Sequence, residues 1–200
     1  MQRKEYSAGA VKLSFWFSEF RKYVSLLRTG NSKDDIKRLA ETENIFSAAT
    51  AQRSKQVFST VSMRVSSLSD SFYDIMDNSN IDTQKLIVLI SIMNTDTLFF
   101  DFMNEIYREK LITRDTVLSD MDLRVFFHNK QRENEKVAGW TDQTLNRLQK
   151  SYKSWLSEAG LIDHSVGDRK IIKPILDSKL EHVLSQRGMT QIINMLTGTR

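Results

Sequence analysis

Pro174 is the only proline in the 200 residues, and glycine occurs seven times. Tight turns therefore have few places to form, which weighs against an all-β sandwich or barrel and favours long helices. Eleven Phe, three Trp and a hydrophobic content of 40% can fill a sizeable interior, so the body of the chain is not disordered. The expected class is all-α: a helical bundle at 1–112 and a helix-turn-helix or winged-helix-like part at 113–200, sharing one core.

Apolar spacing places the helices. The first is expected over 11–27 and stops at Gly30-Asn31. Ser32 with Asp35 then gives a capping box for a short charged helix. This pair reads equally as a helix-turn-helix or as two antiparallel bundle helices. A long helix is expected over 50–76, with Arg53, Lys55 and Arg64 on its outside and a scatter of serines that lower its propensity. The run 86–90 is the most apolar; its length suits a buried central helix, with a parallel strand as the alternative. Asn94-Thr95-Asp96 caps the next helix, and Ser119-Asp120 starts another after a connector. Pro174 suits the first position of a helix reaching Gly188, and a last short helix carries Ile192, Ile193 and Leu196.

The stretch 139–174 carries the chemistry. Thr141 can cap a helix whose buried stripe is Leu145, Leu148, Tyr152, Leu156 and Ala159, and Gly160 can end it. Its other face holds Gln143, Asn146, Arg147, Lys150 and Lys153, donors suited to base edges and phosphates. Two apolar pairs, Leu161-Ile162 and Ile171-Ile172, joined by a turn containing Gly167, read as a hairpin with the basic return Arg169-Lys170, and Lys173 comes next. A helix and a basic hairpin outline a winged helix-turn-helix. An amphipathic surface helix on a bundle has the same pattern. Asp142 at the expected docking end would repel phosphate.

The net charge of +4 is mild, so clustering of the basic residues matters more than their sum. Without cysteine there are no disulfides and no Cys-based metal sites. Three scattered histidines, no phosphate-binding glycine loop and no nucleophile elbow leave no enzyme signature and call for no cofactor or metal. The nearest carboxylate pairs for a metal-dependent nuclease are Asp101 with Glu105 and Asp120 with Asp122, and the first reads as a solvated rim with Lys110 or Arg108. The charged start at 1–5 leads into no signal-length apolar core, and no run approaches the roughly 20 residues of a membrane span. A cytoplasmic protein is expected.

The order of several pieces resembles the BrxA family, small accessory proteins of bacterial BREX phage-defence systems. They are Tyr6-Ser7-Ala8-Gly9, Glu19-Phe20-Arg21, Leu26-Leu27 with Gly30 and Ser32, Glu43-Asn44-Ile45, Asp101-Phe102, and Trp140-Thr141 with Thr144. Leu156-Ser157-Glu158-Ala159-Gly160-Leu161-Ile162 and Lys173-Pro174-Ile175-Leu176 complete the set, which spans 6–196. The resemblance implies an all-helical, non-enzymatic protein that binds double-stranded DNA and works beside other BREX components in phage resistance. It transfers no site residues, so the DNA-binding set Gln143, Asn146, Arg147, Lys150, Lys153, Arg169, Lys170 and Lys173 rests on the physical reading. A protein-interaction adaptor and an RNA-binding bundle are the alternatives.

Overall fold

In a computed structural model, which describes residues 5–199, the chain folds as helices with one small sheet. Of the charged start, 1–4 lie outside the described residues. A 3-10 turn, Ala8–Lys12, leads into α1 (Phe17–Arg28) and α2 (Lys33–Thr42). Helices α3 (Ala51–Ser66), α4 (Asp70–Asn78) and α5 (Ile81–Thr95) come after them. Next, α6 (Thr97–Phe102) runs through a π-helical turn (Met103–Tyr107) into α7 (Arg108–Thr113).

Residues 86–90 form the centre of α5 and are buried on every side, so the run is a helix and not a strand. Helices α1, α3, α4, α6 and α10 (Asp142–Glu158) surround it. Local signals set several boundaries. The Ser32–Asp35 capping box forms, with Ser32 Oγ accepting the Asp35 N–H at 3.1 Å and Asp35 Oδ2 accepting the Ser32 N–H at 3.0 Å.

Four expectations fail. The first helix does not begin at 11: residues 13–16 are non-helical, and Trp16 sits in the left-handed region at φ 57°. The carbonyls of Ser14 and Phe15 go instead to Arg64 Nη1, at 3.0 and 2.8 Å. Arg64 is therefore buried and not on the outside of its helix, with its guanidinium 5.6 Å from the Trp16 ring and 5.7 Å from that of Trp155. The helix expected over 50–76 breaks between α3 and α4, where Ser67 Oγ turns back on the Arg64 carbonyl at 2.6 Å. Serine hydroxyls compete with the backbone ladder in this way. Pro174 starts no helix: α11 (Ser178–Gln186) begins later, capped by Asp177, whose Oδ1 accepts the Lys179 and Leu180 N–H groups.

The C-terminal part runs β1 (Val117–Leu118), α8 (Asp120–Glu133), the short α9 (Glu135–Ala138), α10, β2 (Arg169–Lys170), α11 and α12 (Thr190–Thr197). The hairpin around Gly167 forms: Ile162 bridges Ile171, the Asp163 N–H reaches the Lys170 carbonyl, and the Ile172 N–H reaches that of Leu161. It gains a partner for which the sequence carries no signal, because β2 pairs antiparallel with β1 in the register Val117 to Lys170 and Leu118 to Arg169. In order, the segment is a strand, three helices and a hairpin. One cluster of buried apolar side chains extends from Ala10 to Leu196.

Candidate nucleic-acid interface

Helix α10 is held by its cap and its stripe. Thr141 Oγ1 accepts the Thr144 N–H at 3.3 Å, and Leu145, Leu148, Tyr152, Leu156 and Ala159 are buried. Trp155, which the stripe omitted, is buried as well and packs edge-on against Phe99 at 5.1 Å. At the far end Gly160, at φ 77°, lets the Leu161 N–H return to the Leu156 carbonyl.

The C-terminal half of α10 is buried on several sides, while the N-terminal half is bare on one. Gln143, Asn146, Arg147 and Lys150 are exposed there, with no hydrogen bond or ion pair among the described residues. Their spacing of three and four keeps them on one face. Asp142 is exposed at the same end.

Lys153 lies on the continuation of this face but is half-buried, with Nζ 2.6 Å from Asp120 Oδ1. The hydrogen bond from Lys153 holds the Asp120 carboxyl below its ordinary range. The Asp120 backbone N–H in turn reaches Asp168 Oδ1 at 3.3 Å, which ties the hairpin turn to the start of α8. Lys153 thus joins α8, α10 and the hairpin, and its charge is locally compensated.

On the hairpin, Arg169 is half-buried: Nη1 donates to the Asp163 carbonyl at 3.3 Å, and the buried Nε has no partner among the described residues. Lys170 and Lys173 are exposed, and neither side chain has a partner there. Asp163 shapes the turn by accepting from Ser165 Oγ and from the Lys170 N–H, and these bonds, the Ser165 hydroxyl's first, lower its pKa. His164 is exposed, with Nδ1 2.7 Å from Ser157 Oγ. The structure therefore links Lys153 and Arg169 around Asp120, with Arg147 and Lys150 further along α10, Lys170 on β2 between β1 and the other arm of the hairpin, and Lys173 beyond the end of that strand.

Arg124, His128 and Arg132 are not among the residues expected from sequence, yet all are exposed on α8 at steps of four, and the Arg124 charge acts on Asp120. Their periodicity is visible in the sequence, but the apolar residues on the other face of α8 dominate its pattern. On the N-terminal bundle, Arg53 is committed to Gln56, Lys12 and Ser14, and lies 4.8 Å from the Trp16 ring centre.

The Asp101–Glu105 pair is not a solvated rim with Lys110 or Arg108. Asp101 is buried and accepts the Tyr6 hydroxyl at 2.7 Å, and Glu105 pairs with the buried Lys130 at 2.7 Å. Asp120 holds Lys153, while Asp122 closes the Ser119 capping box and pairs with Lys110 at 2.9 Å. Among the described residues no three His, Asp or Glu side chains gather as a metal site would require. No single helix there is long and apolar enough to cross a membrane.

Comparison with known proteins places this geometry in a lineage. The chain matches the BrxA family over residues 4–188. It is 40% identical over 168 residues to the BREX protein BrxA of Bacillus cereus (strain H3081.97), covering 84% of each chain. With the BREX protein BrxA of Escherichia coli O9:H4 (strain HS) it shares 20% identity over 182 residues, 91% of this chain and 85% of the other. The fold is similar to the crystal structure of an uncharacterized protein from Magnetospirillum magneticum, with a TM-score of 0.81 and 18% identity, covering 98% of this chain and 100% of that one.

Proposed function

The chain belongs to the BrxA family, the accessory proteins of BREX phage-defence systems, and on that footing we propose that it holds double-stranded DNA without catalysing a reaction on it. The observation that carries the reading is the bare N-terminal half of α10, where the side chains of Gln143, Asn146, Arg147 and Lys150 stand exposed and unpaired among the described residues, in a segment whose hairpin also exposes Lys170. A supporting helix, a capped helix with donors at its start and a basic hairpin are the parts of a winged helix that reads DNA. Arg147, Lys150, Lys170 and Lys173 hold phosphates in this reading, while Gln143 and Asn146 face the groove. Lys153 holds α10 to Asp120 of α8, Arg169 braces the hairpin through the Asp163 carbonyl, and Asp142 keeps the helix tip from close approach to the backbone. The other BREX components are the partners beside which it works.

The test is fluorescence anisotropy with labelled duplexes of unrelated sequence across a salt series, with RNA as competitor. Affinity should fall log-linearly with salt and alike for every duplex. Arg147→Glu with Lys150→Glu should weaken it by about tenfold or more with the thermal melt unchanged. Full affinity in the double variant sinks the site, and preference for RNA sinks the duplex reading. Cleavage of the duplex with Mg²⁺ or Mn²⁺ would overturn the non-enzymatic part.

A further inference from the structure

Away from α10 and the hairpin, a groove of about 890 Å³ opens between α2 and α3 and extends to the end of α5. The two helices meet at one end, where Ser54 Oγ donates to the Ala40 carbonyl at 2.7 Å. Lys33 and Lys37 line one wall and Lys55 the other. All three are exposed, and none has an ion-pair partner among the described residues. The floor includes Met63, 40% exposed. Serines at 59 and 66 keep the floor low enough for a backbone to approach.

Uncompensated lysines on both walls with an exposed thioether between them suit an apolar side chain flanked by carboxylates. A helical or extended peptide segment carries both in one strip. A duplex is too wide to enter such a groove, and Asp34 and Glu41 on its α2 wall leave room only for separate carboxylates set beside the lysines, as a peptide can space them. We propose that the groove between α2 and α3 docks an acidic segment of a partner protein, with one apolar side chain on Met63 and carboxylates between Lys37 and Lys55. This surface is separate from the proposed DNA face and does not depend on it.

The probe is a short synthetic peptide of glutamates around a central leucine pair, added to the full chain labelled with ¹³C at the methionine methyls. The Met63 methyl resonance, assigned with Met63→Leu, should shift on titration, while a peptide with lysines for the glutamates leaves it in place. Lys33→Glu, Lys37→Glu and Lys55→Glu together should weaken peptide binding by about tenfold or more and leave duplex affinity unchanged. Should the triple variant fail to fold, Lys55→Glu alone and the Met63 signal of the wild type decide. An unmoved Met63 methyl overturns the proposal. So does equal binding of the two peptides, unaltered peptide binding in a folded charge-reversal variant, or tighter binding of single-stranded oligo-dT in the same groove.

Discussion

Asp96 shows how one side chain can serve structure and still cost stability. Its Oδ1 accepts the Phe99 N–H at 3.0 Å and so starts α6. Burial raises its pKa from 3.8 to about 6, against the pull of the cap hydrogen bonds and of the Arg64 charge. Between these values the folded state binds the proton and the unfolded state does not, so stability falls as pH rises through that window. The loss is complete above about pH 6 and absent below the unfolded value. Asp96→Asn keeps a capping oxygen and removes the titration. Denaturant melts of the two proteins should differ in favour of the variant at pH 7 by about 1 kcal/mol or more, and the gap should close toward pH 4. A gap that is constant over this range would mean that Asp96 does not titrate there. Arg64, the cation that acts on it, could not be placed from sequence: it lies at the edge of the apolar stripe of Val57, Phe58, Val61 and Val65, and an arginine there reads as solvated. Only the non-helical carbonyls of Ser14 and Phe15, distant in the chain, explain its burial.

At the level of elements, α2 and α10 were legible because their signals are local: Ser32 with Asp35, Thr141, Gly160 and an apolar stripe. The break between α3 and α4 was not, since Val65, Leu68 and Phe72 continue the apolar spacing across it and all three are buried. The pairing of β1 with β2 was hidden for a different reason, as two-residue strands carry no periodicity and find each other across the length of α8 and α10. The candidate site divides likewise. The face of α10 came from period alone, but exposure cannot say which of its lysines is already paired. Lys150 is bare, whereas Lys153 is bound to Asp120, and the two should respond differently to loss of charge. Lys150→Gln should reduce the slope of log affinity against log salt by about one and leave the melt unchanged. Lys153→Gln should leave the slope nearly unaltered while lowering stability by about 1 kcal/mol, because it breaks the ion pair that holds α10 to α8. Equal slope changes in the two variants would show that the Asp120 pair opens on DNA and that Lys153 is a phosphate contact after all.

Across the whole molecule, α6 and α7 with the π turn between them join the first half of the chain to the second. Tyr6 donates to Asp101 from one end of the chain, and Arg108 Nε donates to the Thr199 carbonyl at the other. The Tyr107 hydroxyl reaches the Ile172 carbonyl behind the hairpin. Between them Phe99 and Phe102 pack against Phe126 of α8 and against Tyr152 and Trp155 of α10, with ring centroids 4.9 to 5.4 Å apart. A helix of the first half therefore supplies the buried support for the proposed DNA helix. If these aromatic contacts hold both parts in one cooperative unit, Phe102→Ala, which empties the centre of the cluster, should cost about 3–5 kcal/mol and act on every probe alike. Far-UV dichroism of the whole helical content and the fluorescence of buried Trp16 and Trp155 should then unfold at one shared, lowered midpoint. Duplex affinity measured below that midpoint should hardly change, because no group on the exposed face of α10 is altered. Two separated transitions would instead mean that the halves fold independently, with the aromatic cluster only an interface between them. The loss of Phe102 would then shift the two midpoints unequally.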